Sequence, residues 1–117
     1  MIIGVGIDMI KIGKMKDAVQ RWGAPFLERV FHPDELRKIS PGKMYYQRLA
    51  ARFAAKEAVI KALRKESPLA LKDVCILNRA NGAPYCEIGS MPAVDIALSI
   101  THIHEYAAAC AIAQKKS

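Results

Sequence analysis

A chain of 117 residues, 52% of them hydrophobic, has the size of one domain spanning 1–117 and enough apolar side chains for a core, with a surplus that subunit association could cover. With 18 Lys plus Arg against 11 Asp plus Glu the net charge is +7, which draws anionic partners (nucleic acid, an acidic protein, a phosphorylated small molecule) without choosing among them. The three cysteines, Cys75, Cys86 and Cys110, contain no Cys-x-x-Cys pair, which argues against a zinc knuckle or a disulfide framework and for free thiols in a reducing compartment. A single bridge between the Cys75 and Cys86 segments is the one alternative, because those segments could pair as strands.

Met1 opens a short apolar run that Asp8 interrupts, and no small-residue cleavage site follows. The run is therefore neither a signal peptide nor a membrane span, and a soluble, cytoplasmic protein is expected. Residues 2–8 read as a strand with Ile3, Val5 and Ile7 on one face and Ile2, Gly4, Gly6 and Asp8 on the other. Two glycines strip the second face just before a carboxylate, so something bulky, or a closely packed element, is expected there. Asp8 itself suits a turn or a helix cap as readily as a functional role.

Residues 14–22 can form a basic helix with Lys14, Lys16 and Arg21 toward solvent. Pro25 suits the first turn of a short helix running to Phe31, Pro33 opens a turn carrying Asp34, Glu35 and Leu36, and Pro41-Gly42 breaks the chain. From about residue 43 to 64 the sequence is rich in Ala, Leu, Lys and Arg, and Leu49, Phe53, Ile60 and Leu63 recur at helical spacing, which predicts the longest helix. Within it Phe53, Glu57 and Lys61 fall at i, i+4 and i+8 and share a face. Glu57 and Lys61 could be a simple surface ion pair. With Phe53 and Ile60 beside them they would instead be partly buried and in need of partners, which a phosphate and a divalent cation would supply.

The pattern then turns to strands. Val74–Leu77 and Tyr85–Ile88 flank Asn81-Gly82, a dipeptide favoured in hairpin turns. Residues 94–101 alternate, with Ile96, Leu98 and Ile100 on one face and Ser99 and Thr101 on the other, and 106–113 form a small-residue strand, so 94–113 reads as a second hairpin. Ser99, Thr101 and His102 could hydrogen-bond a phosphate or ribose, though hydroxyls on exposed strands are common; His104 reads as an exposed turn residue. The architecture predicted is α+β, helices early and an antiparallel sheet late. Gly4 and Gly6 lack the third glycine and βαβ context of a dinucleotide fingerprint, and no Walker lysine loop is present.

Gly6-Ile7-Asp8, followed by Arg52-Phe53-Ala54-Ala55-Lys56-Glu57-Ala58 and Lys61-Ala62, resembles the two-part signature of phosphopantetheinyl transferases. Ser99-Ile100-Thr101-His102 and Glu105-Tyr106-Ala107-Ala108-Ala109 are similar to the holo-acyl-carrier-protein synthase branch. The resemblance implies that branch's fold, a long helix on an antiparallel sheet in a homotrimer with an active site at each subunit interface. It also implies magnesium-dependent transfer of the 4'-phosphopantetheine of coenzyme A to a serine of apo-acyl carrier protein, a step that supports fatty acid biosynthesis. By the same resemblance Asp8 and Glu57 would hold magnesium and, with Lys61, form the catalytic group. Lys61 would lie near the pyrophosphate, Ser99, Thr101 and His102 would face the nucleotide end of coenzyme A with Arg52 as a further contact, and Lys14 and Arg21 would dock the acidic helix of the carrier protein. Similar proteins usually carry a Gly-Thr-Gly loop after this helix; here Leu63 is followed by Arg64-Lys65-Glu66-Ser67-Pro68, without glycine. A small basic nucleic-acid-binding module would explain the charge, but 7% aromatic residues are few for the stacking platform it needs. A non-catalytic trimeric relative that only binds carrier protein is the other alternative.

Overall fold

The structure, a computed structural model, describes residues 1–116. The chain starts with strand β1 (Ile2–Lys11) and then runs through helices α1 (Ile12–Trp22), α2 (Ala24–Val30), α3 (Pro33–Arg37) and α4 (Tyr45–Leu63). A single 3-10 turn (Leu71–Asp73) leads into β2 (Cys75–Asn78), β3 (Pro84–Glu87), β4 (Val94–Ile103) and β5 (Tyr106–Lys115). Among the described residues no helix is long and apolar enough to cross a membrane.

The predicted helices and both hairpins form, but the sheet is not confined to the end of the chain. β1 crosses over to pair antiparallel with β5, giving the order β1-β5-β4, while β2 and β3 make a separate two-stranded ribbon. β1 also runs three residues past Asp8, because Met9, Ile10 and Lys11 continue the ladder opposite Ala108, Ala107 and Tyr106. Its expected facial alternation fails at the start: the ladder slips between Ile2 and Gly4, so Ile3 turns inward against the core while Ile2 is exposed. The turn predicted at Pro33 closes into α3, capped by His32 Nδ1, which accepts from the Asp34 amide at 3.0 Å.

α4 lies across the inner face of the three-stranded sheet, and both surfaces are nearly pure alanine at the contact. Ala54, Ala58 and Ala62 meet Ala109, Ala111 and Ala113, all buried. Small side chains let helix and strand backbones approach closely, and Gly4 and Gly6 take this to its limit. A Cβ built on Gly4 would stand 1.8 Å from the Ala62 carbonyl oxygen, and one on Gly6 would stand 1.9 Å from that of Ala58. The stripped face of β1 thus accommodates the backbone of α4 itself. A second core, built on Met15, Val30, Phe31, Ile39 and Leu49, lies under α1 to α3.

Two charges are sealed inside. Lys56 and Glu35 are both fully buried, with Lys56 Nζ 2.5 Å from Glu35 Oε1 and also donating to the Val74 carbonyl. Glu35 accepts in addition from the His32 amide at 2.8 Å and the Ile76 amide at 2.9 Å. Burial pushes the Lys56 ammonium down from its usual range, and Glu35 opposes that shift. This lattice ties α3, α4 and β2 together. Cys75, Cys86 and Cys110 are free thiols, with burial pushing Cys86 up to about 12.

The outer face of the sheet is uncovered. Val5, Ile7 and Met9 are 60%, 68% and 64% exposed, and Ile103 adds to the same side.

Candidate active site

The close approach of β1 to α4 decides which polar groups meet. Gly6 seats the strand on Ala58, and two residues later Asp8 comes off that same face beside the helix turn carrying Glu57 and Lys61. Lys61 Nζ donates to Asp8 Oδ1 at 3.0 Å and to the Ile7 carbonyl at 3.0 Å. Glu57 is half-buried, and its carboxyl is pushed above the usual value of 4.5, chiefly by burial and then by the Asp8 charge; Lys61 and Arg64 pull the other way. Asp8 thus meets Lys61, 53 positions away in the chain, with Glu57 near enough for the two carboxylate charges to interact, at the β1 edge of the sheet.

A second, basic site lies on a different side of α4. Arg52 and His102 line one cavity of about 460 Å³, together with Lys38, Arg48, Asn78 and Pro84. Arg52 Nη2 donates to Asn78 Oδ1 at 3.0 Å, while its Nε is buried with no partner among the described residues. Burial pushes the guanidinium down, Glu35 opposes this, and Arg48 adds to it. Lys38, Arg48, Arg52 and His102 bring four basic side chains around one hollow, an arrangement that suits an anion.

The three residues taken together as a nucleotide contact are split by the pleat. His102 shares the inward register of Ile100 and joins Arg52, whereas Ser99 and Thr101 point to the outer face, where they line a shallow hollow of about 160 Å³ with Ile7 and Cys110. Within one chain, then, Ser99 and Thr101 face away from α4, which carries Glu57 and Lys61. Lys14 and Arg21 are exposed on α1, and Arg21 lies over the exposed Trp22 ring at 5.4 Å. His104 is the exposed turn residue predicted, with φ of 50° between β4 and β5.

Reading the sequence missed Lys38, Arg48 and Asn78. Arg48 had a visible signal, since it precedes Arg52 by four residues and so shares its helix face. Asn78 had none, because its partner lies twenty-six residues away. A further grouping of His32, Asp34 and Cys75 brings its donor atoms within 4.8 Å of one another. Its donors are already engaged: His32 Nδ1 accepts from the Asp34 amide, Asp34 pairs with Arg37, and burial pushes the Cys75 thiol up. With Lys72 also on that hollow, it is a poor seat for a cation.

A helix laid on an antiparallel sheet thus carries a part-buried carboxylate pair beside one ammonium, a set suited to a divalent cation, and a separate basic hollow suited to an anion. The chain belongs to the 4'-phosphopantetheinyl transferase superfamily, whose model matches residues 4–111. The holo-[acyl-carrier-protein] synthase of Protochlamydia amoebophila is 40% identical over 119 residues, spanning 96% of this chain and 98% of that protein. The synthase of Bacillus anthracis, crystallised in complex with CoA (3',5'-ADP), superposes with a TM-score of 0.84 at 28% identity over 100% of this chain and 99% of its own. That of Helicobacter pylori, in complex with coenzyme A, gives 0.83 at 28% identity over 94% and 99%. The fold is thus the α+β fold of these synthases.

Proposed function

We propose that this chain is a magnesium-dependent holo-acyl-carrier-protein synthase, one transferase domain over residues 1–117 acting in the cytoplasm. It moves 4'-phosphopantetheine from coenzyme A to a serine of apo-acyl carrier protein, releases adenosine 3',5'-bisphosphate, and so supports fatty acid biosynthesis. The observation that carries the reading is the meeting of Asp8, Glu57 and Lys61 across the β1–α4 contact, in a chain whose relatives bear that name.

Phosphoryl transfer asks a protein mainly to position the reactants and balance charge. The donor set fits magnesium, which prefers oxygen ligands and commonly takes one or two carboxylates together with phosphate oxygens. Asp8 and Glu57 would hold it, and the charge of one raises the proton affinity of the other, as expected of two carboxylates awaiting a shared cation. When bound, the ion neutralises the diphosphate. Lys61, anchored by the Ile7 carbonyl, then offers an N–H to the oxygen of the departing adenosine bisphosphate. The serine oxygen forms the new bond to the β-phosphorus as the bridging P–O bond breaks, the bond's electron pair leaves on the adenosine bisphosphate oxygen, and the serine proton passes to water. Arg52 and His102, in the hollow with Lys38 and Arg48, would bind another phosphate of coenzyme A. Ser99 and Thr101 would face the nucleotide end.

The bare outer face supports a homotrimer. Val5, Ile7, Met9 and Ile103 form an apolar surface of the kind that marks an interface. Such an assembly would bring the Ser99 and Thr101 side of one subunit toward the Asp8 edge of the next, completing each site at a boundary. Lys14 and Arg21 on α1 would dock the acidic helix of the carrier protein. The deciding experiment incubates the chain with apo-acyl carrier protein, coenzyme A and magnesium and reads the carrier's intact mass. A gain of one phosphopantetheine that requires all three components is expected; carrier left unmodified would overturn the reading.

A further inference from the structure

We propose that Asn78 is a positioning residue that holds the Arg52 guanidinium in place for a phosphate of coenzyme A; the inference rests on the reading of the basic hollow just given. Asn78 ends β2 and spends both halves of its amide. Its Oδ1 accepts from Arg52 Nη2 at 3.0 Å, and its Nδ2 donates to the Gly82 carbonyl at 2.9 Å. The turn it grips is itself well ordered by hydrogen bonds. Arg79 N donates to the Ala83 carbonyl and Gly82 N to the Arg79 carbonyl, both at 2.8 Å, and Ala83 N donates to Asn81 Oδ1 at 3.0 Å. One planar group therefore fastens a helix side chain to a rigid hairpin. The amide orientation is forced, since only its oxygen can face a guanidinium and only its nitrogen a carbonyl.

Arg52 needs such a hold. Burial disfavours its charge, Arg48 repels it, and its Nε is buried with no partner among the described residues, all of which push a flexible arginine toward open water. Glu35 attracts it but is committed to Lys56. A carboxylate at position 78 would hold the guanidinium firmly and cancel its charge. The neutral amide fixes the fork while leaving the positive charge for the ligand.

The test measures kcat and separate KM values for coenzyme A and carrier protein in the wild type, Asn78→Ala, Asn78→Asp and Arg52→Ala, with melting curves for each. Asn78→Ala is expected to raise the KM for coenzyme A about tenfold, the effect of one hydrogen bond to a charged group, and Asn78→Asp is expected to raise it similarly because its carboxylate offsets the Arg52 charge. Their kcat should stay within about twofold and their KM for carrier protein should not change, a split that general loosening of the fold would not produce. If Arg52→Ala raises the KM for coenzyme A while both Asn78 variants behave as wild type, the positioning role is wrong and the reading of the hollow stands. If kcat and the melting temperature fall while both KM values rise, Asn78 serves only the hairpin and the proposal fails. If Arg52→Ala leaves the KM for coenzyme A untouched, the reading of the hollow fails and takes this inference with it.

Discussion

Glu57 titrates above the ordinary carboxyl range because burial and the Asp8 charge both favour its protonated form. A raised carboxyl pKa means the folded chain binds a proton more tightly than the unfolded one. Its contribution to stability is therefore present below the ordinary value and lost as pH rises through the folded value. Cation affinity runs the opposite way, since the ligand must be ionised. Half-saturating magnesium, measured by carrier modification across pH, should rise as pH falls through that window. Glu57→Gln should nearly abolish magnesium-dependent activity at every pH while melting no lower than the wild type, since the amide is neutral where the fold disfavours a charge; full activity in that variant would remove Glu57 from the metal site. Lys56, one residue away, does a different job. Lys56→Met would strand the Glu35 carboxylate in the core, at a cost of about 3–5 kcal/mol, which urea denaturation would register. A variant as stable as the wild type would show that Glu35 is readily neutralised there. That buried pair was invisible in the sequence, because its members lie 21 residues apart and each looks like an ordinary helix charge.

At the scale of elements, α4 was legible because its apolar residues keep helical spacing, and both hairpins because turn residues interrupt alternating runs. The partner of β1 was not legible, since pairing with β5 joins the two ends of the chain and neither strand's pattern names the other. The glycines of β1 announced a close approach but not by what. Gly6→Ala tests that contact. Its new Cβ would fall 1.9 Å from the Ala58 carbonyl oxygen, so β1 must lift from α4. Overpacking of this kind costs about 1–3 kcal/mol, and it also carries Asp8 away from Glu57 and Lys61. A lower melting temperature is expected together with an activity loss larger than the melting shift explains. Wild-type melting and activity would show that the contact is looser than its geometry implies. The division of Ser99 and Thr101 from His102 follows from the same two-residue strand period that grouped the hydroxyls in the first place, because His102, next to the end of β4, is still in the ladder opposite Ala107.

Across the whole molecule the +7 charge has a local expression in α1, where Lys14 and Arg21 are exposed. Lys14→Glu with Arg21→Glu should slow association with an acidic carrier, most at low salt, with dissociation changing less. Stopped-flow binding at two ionic strengths decides it, and unchanged rates would take these residues out of the interface. The uncovered sheet face has a further consequence. If each reaction centre is shared between neighbours, a lone subunit holds two mismatched halves and turns nothing over. Specific activity per mole of chain should then collapse on dilution rather than stay constant, steeply because three copies must meet, and crowding or chemical cross-linking should restore it.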